Sequence, residues 1–190
     1  MAAACPSVRE CTLTTVGTRF GVVARKHKDN LQMRTDRYAP RVAHYLFNLV
    51  TPDPAKGPLL RGQAAGFLRV GMWGIDADEL HRAALAPGDL ILIYLGAPER
   101  EFIGHAELAS AVCDWTPSEA QVYPGDSPSG VLLAHVEEWD PPVPMSTVLS
   151  QIDPAENAKA DFQTGVVRIT ASEYETALAV AAGRAPSTRI

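Results

Sequence analysis

The chain has 190 residues, of which 46% are hydrophobic and 21% charged, and its formal net charge is −5 at pH 7. This length allows one substantial core and is too short for two ordinary domains. The longest apolar runs are strand-sized, far below the ~20 residues that a membrane-spanning helix needs. The N-terminus lacks the apolar stretch of a secretory signal, and the three cysteines have no metal-ligand spacing. We therefore expect a cytoplasmic protein with reduced thiols and no membrane partner.

Charge is distributed unevenly along the chain. Residues 1–41 carry eight Lys and Arg against three acidic residues, whereas the remainder carries nine basic and 19 acidic residues. An acidic body repels phosphate, which argues against a duplex binder that depends mainly on phosphate contacts. Residues 1–40 also lack sustained periodicity. We predict a basic, poorly ordered N-terminal extension over 1–40, followed by one domain over 41–185. The positive charge of the extension either offsets the negative charge of the domain locally or belongs to a solvated tail without function.

The first half of the domain contains few clear elements. An apolar run at 43–50 predicts a strand, and the Gly- and Pro-rich stretch 52–65 predicts a loop. Asp76 and Glu79 have the spacing of a helix cap and its reciprocal partner, which predicts a short helix before the Pro-Gly-Asp turn at 87–89.

The second half alternates strands with small helices. Strands are predicted at 90–94, 102–112, 130–139 and 166–169, the first two as a hairpin and the third stopped by the prolines of 140–144. A short helix is predicted at 146–152. Thr170 and Glu173 form a capping box for a helix over 171–182, and Gly183 has the position of a left-handed cap. Short strands with few small helices indicate an α+β protein with a strongly curved or closed sheet.

Two His-x-Glu units, His105/Glu107 and His135/Glu137, are the best candidates for catalysis. Each lies on a predicted strand, where a period of two places both side chains on one face. If the strands were neighbours, the four groups could bind a metal. We favour the simpler interpretation that they form the solvated face of two half-buried strands. The sequence contains no nucleophile elbow, zinc-protease motif or phosphate-binding glycine loop.

Several short segments, spread over about residues 43–182, carry the clearest signal. They are GMWG at 71–74, PGD at 87–89, LILIY at 90–94, FIGHAELAS at 102–110, GVLL at 130–133, EWDPPV at 138–143, QTGV at 163–166 and ITASEY at 169–174. In order and spacing they resemble the EVE domain, a relative of YTH domains in the PUA-like group.

The resemblance implies a PUA-like curved or closed mixed β-barrel with short flanking helices, without enzymatic activity, cofactor or metal. Such domains are known for reading modified bases, 5-methylcytosine-type marks in DNA for some EVE domains and N6-methyladenine in RNA for YTH relatives. It thus implies a nucleic-acid binding module for a methylated or hydroxymethylated nucleobase in DNA or RNA. Because the sequence has no nuclease signature, a role in restriction or defence would require a separate nuclease or defence protein as partner.

The resemblance also implies site residues. Trp73 looks like the aromatic side chain that stacks on the base, and the flanking Gly71 and Gly74 favour close approach of a ligand. Tyr45 falls where many EVE domains have Trp, and Trp115 lies where YTH domains often supply a second cage aromatic. For Trp73 and Tyr45 the alternative is a place in the core.

Three polar residues complete the predicted site. Asn48 is a candidate reader of the base edge because its amide both donates and accepts hydrogen bonds. Arg61 and Arg69 flank the Trp73 loop and are candidates for a phosphate contact. Their simpler interpretations are a local backbone hydrogen bond for Asn48 and solvation for the arginines. Two other functions stay open: a PUA-like module for structured RNA such as tRNA, and a metal-dependent enzyme that uses the His-x-Glu strands.

Overall fold

The computed structural model describes residues 42–51, 57–152 and 165–183, and the predicted extension over 1–40 lies outside them. The strands are β1 (His44–Leu49), β2 (Met72–Gly74), β3 (Leu90–Leu95), β4 (Glu101–Leu108), β5 (Cys113–Asp114), β6 (Ser129–Pro144) and β7 (Val166–Ile169). The helices are α1 (Gly57–Val70), α2 (Pro117–Val122), α3 (Met145–Leu149) and α4 (Ala171–Ala182), with a 3-10 helix at Arg82–Ala84.

These strands form one mixed sheet in the order β2-β6-β4-β3-β1-β7, with β5 paired to β6. β1 and β3 pair in parallel, and the other pairs are antiparallel. The 16 residues of β6 pair with β2 and β5 near its start and with β4 farther on. The sheet is curled into a half-barrel. The predicted α+β class, the β3–β4 hairpin and the curved mixed sheet are confirmed.

β1 and β3 lie in the interior of the sheet and bury both of their faces. On one face Tyr45 and Phe47 join a buried cluster that includes Phe67 of α1. On the other face Leu46 joins a cluster that includes Tyr174 of α4. Because successive side chains point to opposite faces, a strand covered on both sides is a nearly continuous apolar run. This explains the pattern of 43–50 and places helices on both sides of the sheet.

Helix α1 overturns the prediction of a loop for residues 57–65, whereas the first part of that prediction, 52–56, lies outside the described residues. Its buried side chains, Leu60, Ala64, Phe67 and Leu68, recur at intervals of three to four residues, which is the spacing of one helix face. The apolar periodicity therefore outweighs the glycines and proline that suggested a loop.

The helix predicted after Asp76 is reduced to the 3-10 turn at Arg82–Ala84. Arg82 donates hydrogen bonds to the Ile75 carbonyl at 2.8 Å and to the Ser129 hydroxyl at 3.0 Å. These contacts tie the segment to the start of β6. The local capping signal is therefore wrong here, because a tertiary contact decides the conformation.

Strand β6 passes through the prolines that were expected to stop it. Its pairing with β4 resumes at Phe102–Val143 after a shift in register. Pro141 and Pro142 fall in the irregular part between the paired residues, where a missing N–H donor is tolerated. The predicted end near Trp139 is therefore wrong.

Helix α4 begins at the predicted capping box. The Glu173 N–H donates to the Thr170 hydroxyl at 3.1 Å, and the Thr170 N–H donates to the Glu173 carboxylate at 2.6 Å. At the other end Gly183 has a φ of −70° and continues the helical hydrogen bonding by donating to the Ala179 carbonyl. The predicted left-handed cap at Gly183 is therefore wrong.

The structure bears on two expectations about the compartment. In the described ranges no helix is both long and apolar enough to cross a membrane. Cys113 is disulfide-bonded, which contradicts the expectation of a reduced thiol at this position. Cys5 and Cys11 lie outside the described residues. The cytoplasmic location stays a prediction.

Burial raises the pKa of four tyrosine phenols, Tyr45, Tyr94, Tyr123 and Tyr174, above the ordinary value of 10.0. As pH rises, the unfolded chain loses these protons before the folded chain does, so stability falls with pH above the unfolded value. We expect the urea midpoint to fall between about pH 9 and about pH 11. The fall should be less steep for Tyr45→Phe, and a midpoint that is constant over this range would contradict the prediction.

Candidate functional site

A cavity of about 540 Å³ opens beside the C-terminal end of β1. It is bounded by α1, by β2 with the residues that follow it, by the loop 125–128 after α2, and by the start of β7. Its aromatic lining consists of Phe67, Trp73 and Tyr123, and its polar lining includes Asn48, Gln63, Asp76, Glu79, Asp126 and Ser127. A concave site of this volume with aromatic and polar walls suits a small ring-shaped ligand.

The aromatic wall is a chain of packed rings. Phe67 stacks on Tyr123 with ring centroids 5.2 Å apart and meets Trp73 edge-on at 5.3 Å. On its inner side Trp73 contacts Phe47 of β1 at 5.9 Å. Trp73 is only 4% exposed, so its indole belongs to the core and reaches the cavity with a small part of its surface. The wall is therefore fixed by packing, and much of the accessible surface above it is polar.

Gly74 is required by the close packing of this wall. A Cβ at this position would collide with the Tyr123 hydroxyl and would lie 2.7 Å from Ser127 Cβ. Burial raises the pKa of the Tyr123 phenol, while hydrogen bonds with the Gly74 backbone and the Ser127 side chain act in the opposite direction. The phenol, already protonated at physiological pH at its ordinary pKa, is therefore a neutral group in the cavity wall.

The rim of the cavity is acidic. Asp76, Glu79 and Asp126 contribute three carboxylates, and the described lining residues include no Lys or Arg. The Ser127 hydroxyl donates to the Asp76 carboxylate at 2.9 Å, which links the residues after β2 to the loop after α2. The Leu80 N–H donates to the Glu79 carboxylate at 3.2 Å. The rim thus repels phosphate and favours a ligand edge that donates hydrogen bonds or carries positive charge.

The structure brings three of the predicted site residues to this cavity: Trp73, Gly74 and Asn48. Asn48 is 6% exposed, and its backbone N–H donates to the Gly165 carbonyl at 2.7 Å. Gly71 does not line the cavity, and it occupies the turn between α1 and β2 with a φ of 66°. A ligand contact from any of these residues stays a prediction.

The two other predicted aromatic residues lie outside the lining. Tyr45 is 1% exposed within the core, and its ring faces His81 at 6.0 Å. Trp115 is half-buried behind the wall, where its indole N–H donates to the Ser127 carbonyl at 2.9 Å and its ring packs on Tyr123. Trp115 therefore positions the loop that borders the cavity.

The two arginines predicted to contact phosphate also lie away from the lining. Arg61 forms an ion pair with Glu101 at the start of β4. Arg69 is exposed in the last turn of α1. The sequence analysis missed Phe67, Gln63 and Tyr123. The helical spacing within α1 was the available signal for Phe67 and Gln63, whereas Tyr123 follows α2.

The His-x-Glu units do lie on neighbouring strands, yet they form two separate pairs. His105 Nε2 is 3.3 Å from the Glu137 carboxylate, and His135 Nε2 is 4.0 Å from the Glu107 carboxylate. Among the described residues no three His, Cys, Asp or Glu side chains come together as metal ligands. The metal-dependent alternative therefore gains no support from this arrangement.

Comparison with known proteins yields similar folds. No family model and no curated protein matches the chain. The YTH domain of Zygosaccharomyces rouxii MRB1, solved with N6-methyladenosine RNA, matches with a TM-score of 0.53 and 13% identity over 80% of this chain and 90% of that one. Rpa0253 from Rhodopseudomonas palustris matches with a TM-score of 0.50 and 18% identity over 78% of this chain and 99% of that one. Human THYN1, solved with 5-methylcytosine-containing DNA, matches with a TM-score of 0.49 and 14% identity over 72% of this chain and 96% of that one.

Identities this low show the fold alone. They do not distinguish an EVE domain from its relatives, so the closer assignment stays an interpretation of the sequence segments. What the similarity does establish is that the chain has a PUA-like fold, as predicted, built as a curled mixed sheet with a few short helices.

Proposed function

We propose that this chain is a nucleic-acid binding module that takes a modified nucleobase into the cavity beside β1. The observation that carries the proposal is the lining, in which the rings of Phe67, Trp73 and Tyr123 adjoin a polar rim. A base turned out of its stack offers π faces and a hydrogen-bonding edge. Its binding site therefore needs an aromatic surface for the faces and polar groups for the edge. Contact with aromatic rings contributes about 1–3 kcal/mol per base.

The fold supports the proposal independently. The YTH domain that shares the PUA-like architecture was solved with N6-methyladenosine RNA. The proposed role is binding without catalysis. If the protein serves in restriction or defence, a separate nuclease would supply the cleavage.

The proposal is tested by measuring the affinity of short single- and double-stranded RNA and DNA, each with and without one modified base. Gln63 is exposed and lines the cavity, so Gln63→Trp should fill the mouth without disturbing the core. Leu59→Trp is the matched control, because Leu59 is 67% exposed on the same helix and does not line the cavity. We expect Gln63→Trp to weaken binding of the preferred modified strand by about tenfold or more, equivalent to about 1.4 kcal/mol, and Leu59→Trp to leave it unchanged.

Other outcomes would contradict the proposal. Equal affinity for modified and unmodified strands would mean that the cavity does not read a base. Salt-sensitive binding of unmodified structured RNA, with no effect of Gln63→Trp, would favour the alternative of a module for structured RNA.

A further inference from the structure

The charge of the rim narrows the class of base, an inference that rests on the proposed function. Asp76, Glu79 and Asp126 line the same cavity as the aromatic wall. Within the described chain none of the three takes part in an ion pair. Arg82 is nearby, but its guanidinium donates to the carbonyls of Ile75 and Asp76 and to a serine hydroxyl, not to these carboxylates. The negative charge of the rim is therefore not compensated by the described side chains.

The rings below the rim favour the same kind of ligand. An aromatic face attracts a cation through its quadrupole, by about 0.5–2 kcal/mol depending on solvent exposure. Phe67, Trp73 and Tyr123 present only a small part of their ring surface to the cavity, and that part acts in the same direction as the three carboxylates. A neutral base would displace water from carboxylates without supplying a compensating charge, and it would lose affinity through that desolvation.

We propose that the cavity selects a positively charged base, namely one methylated on a ring nitrogen. Such methylation places a positive charge that is delocalised over the ring, as in 1-methyladenine or 3-methylcytosine at neutral pH. Methylation of an exocyclic nitrogen or of a ring carbon, as in N6-methyladenine or 5-methylcytosine, leaves the base neutral. The charged ring would face the aromatic wall while its edge lies beside the carboxylates.

Isomeric bases give the sharpest test. In their neutral forms 1-methyladenine and N6-methyladenine are isomers, as are 3-methylcytosine and 5-methylcytosine. At neutral pH the ring-nitrogen-methylated base of each pair holds one additional proton, so the two bases differ in charge and in the position of one methyl group. Each base is placed in the same short single-stranded RNA, and the affinities are compared by titration at neutral pH. We expect the charged isomer of each pair to bind about tenfold more tightly or better, with a ratio that shrinks as salt screens the rim.

Charge-removing variants locate the effect. Glu79→Gln and Asp126→Asn keep the shape of the side chain and remove one negative charge, and each should lower the affinity ratio between the isomers several-fold. Asp140→Asn removes the same charge from an exposed position outside this cavity and should leave the ratio unchanged.

The outcomes separate this inference from the proposal beneath it. Tighter or equal binding of the neutral isomers, still lost in Gln63→Trp, would overturn selection by charge and leave base binding intact. Equal effects of Asp126→Asn and Asp140→Asn would also overturn it, because the preference would then reflect overall charge. If neither isomer of either pair binds, selection by charge is overturned, and the proposed function is then decided by the wider set of modified DNA and RNA strands described above.

Discussion

Replacement of Trp73 by alanine is expected to lower the free energy of unfolding by about 3–5 kcal/mol. The indole is 4% exposed and contacts the rings of Phe47 and Phe67, so its removal leaves a space between the sheet and α1. Because the indole belongs to the core, loss of binding in Trp73→Ala would not by itself identify a ligand contact.

Urea unfolding followed by far-UV circular dichroism measures the effect. Trp139→Ala is a suitable control, because Trp139 is a half-buried tryptophan that packs against the other apolar cluster of the sheet. Trp139→Ala should lower the free energy of unfolding by less than Trp73→Ala does. A cost below about 1 kcal/mol for Trp73→Ala would show that the indole is not an essential part of the core.

A tryptophan-to-phenylalanine variant separates stability from binding at the same position. Trp73→Phe keeps an aromatic ring against Phe67 and should retain most of the stability. Affinity for a modified base can then be compared with the native protein under conditions in which both are folded. This comparison, together with Gln63→Trp, distinguishes a wall that contacts the base from a wall that only supports the fold.

The elements that the sequence predicted well are those with strong local signals. Thr170 and Glu173 cap α4 through contacts three residues apart, and the continuous apolar runs of β1 and β3 follow from burial on both faces. Where a long-range contact determines the conformation, the local sequence pattern led to a wrong prediction. The cap-like spacing of Asp76 and Glu79 yields no regular α-helix, because Arg82 anchors that segment to Ser129.

The candidate site could be predicted only in part, for the same reason. Trp73 and Gly74 came from a contiguous segment that resembles a known family. Phe67 and Tyr123 come from α1 and from the end of α2, two elements that the sequence analysis missed, and only the tertiary fold brings them to Trp73. The resemblance also could not distinguish a core position from a pocket position for Tyr45. In the structure, alternation along β1 places Tyr45 beside Phe47 on a buried face.

The Pro-Gly-Asp motif at 87–89 shows how a local signal can have a second, non-local role. The sequence predicts a turn there, and the Asp89 carboxylate does accept a hydrogen bond from the Ala86 N–H at 2.9 Å. Its other oxygen accepts one from the Ala43 N–H at 2.9 Å, just before β1. The Leu90 N–H donates to the Ala43 carbonyl at 2.9 Å. Asp89 thus helps to set the register in which β1 and β3 pair.

Asp89→Ala is therefore expected to destabilise the fold by about 2–4 kcal/mol, because it deprives two backbone N–H groups of a carboxylate acceptor at a position only 5% exposed. Asp89→Asn should cost less, since its amide oxygen can still accept one of the two bonds. Asp78→Ala, at an exposed aspartate, is the control, with an expected change within about 0.5 kcal/mol. Equal losses for Asp89→Ala and Asp78→Ala in urea unfolding would mean that water replaces the carboxylate, and that the pairing of β1 with β3 does not depend on this clamp.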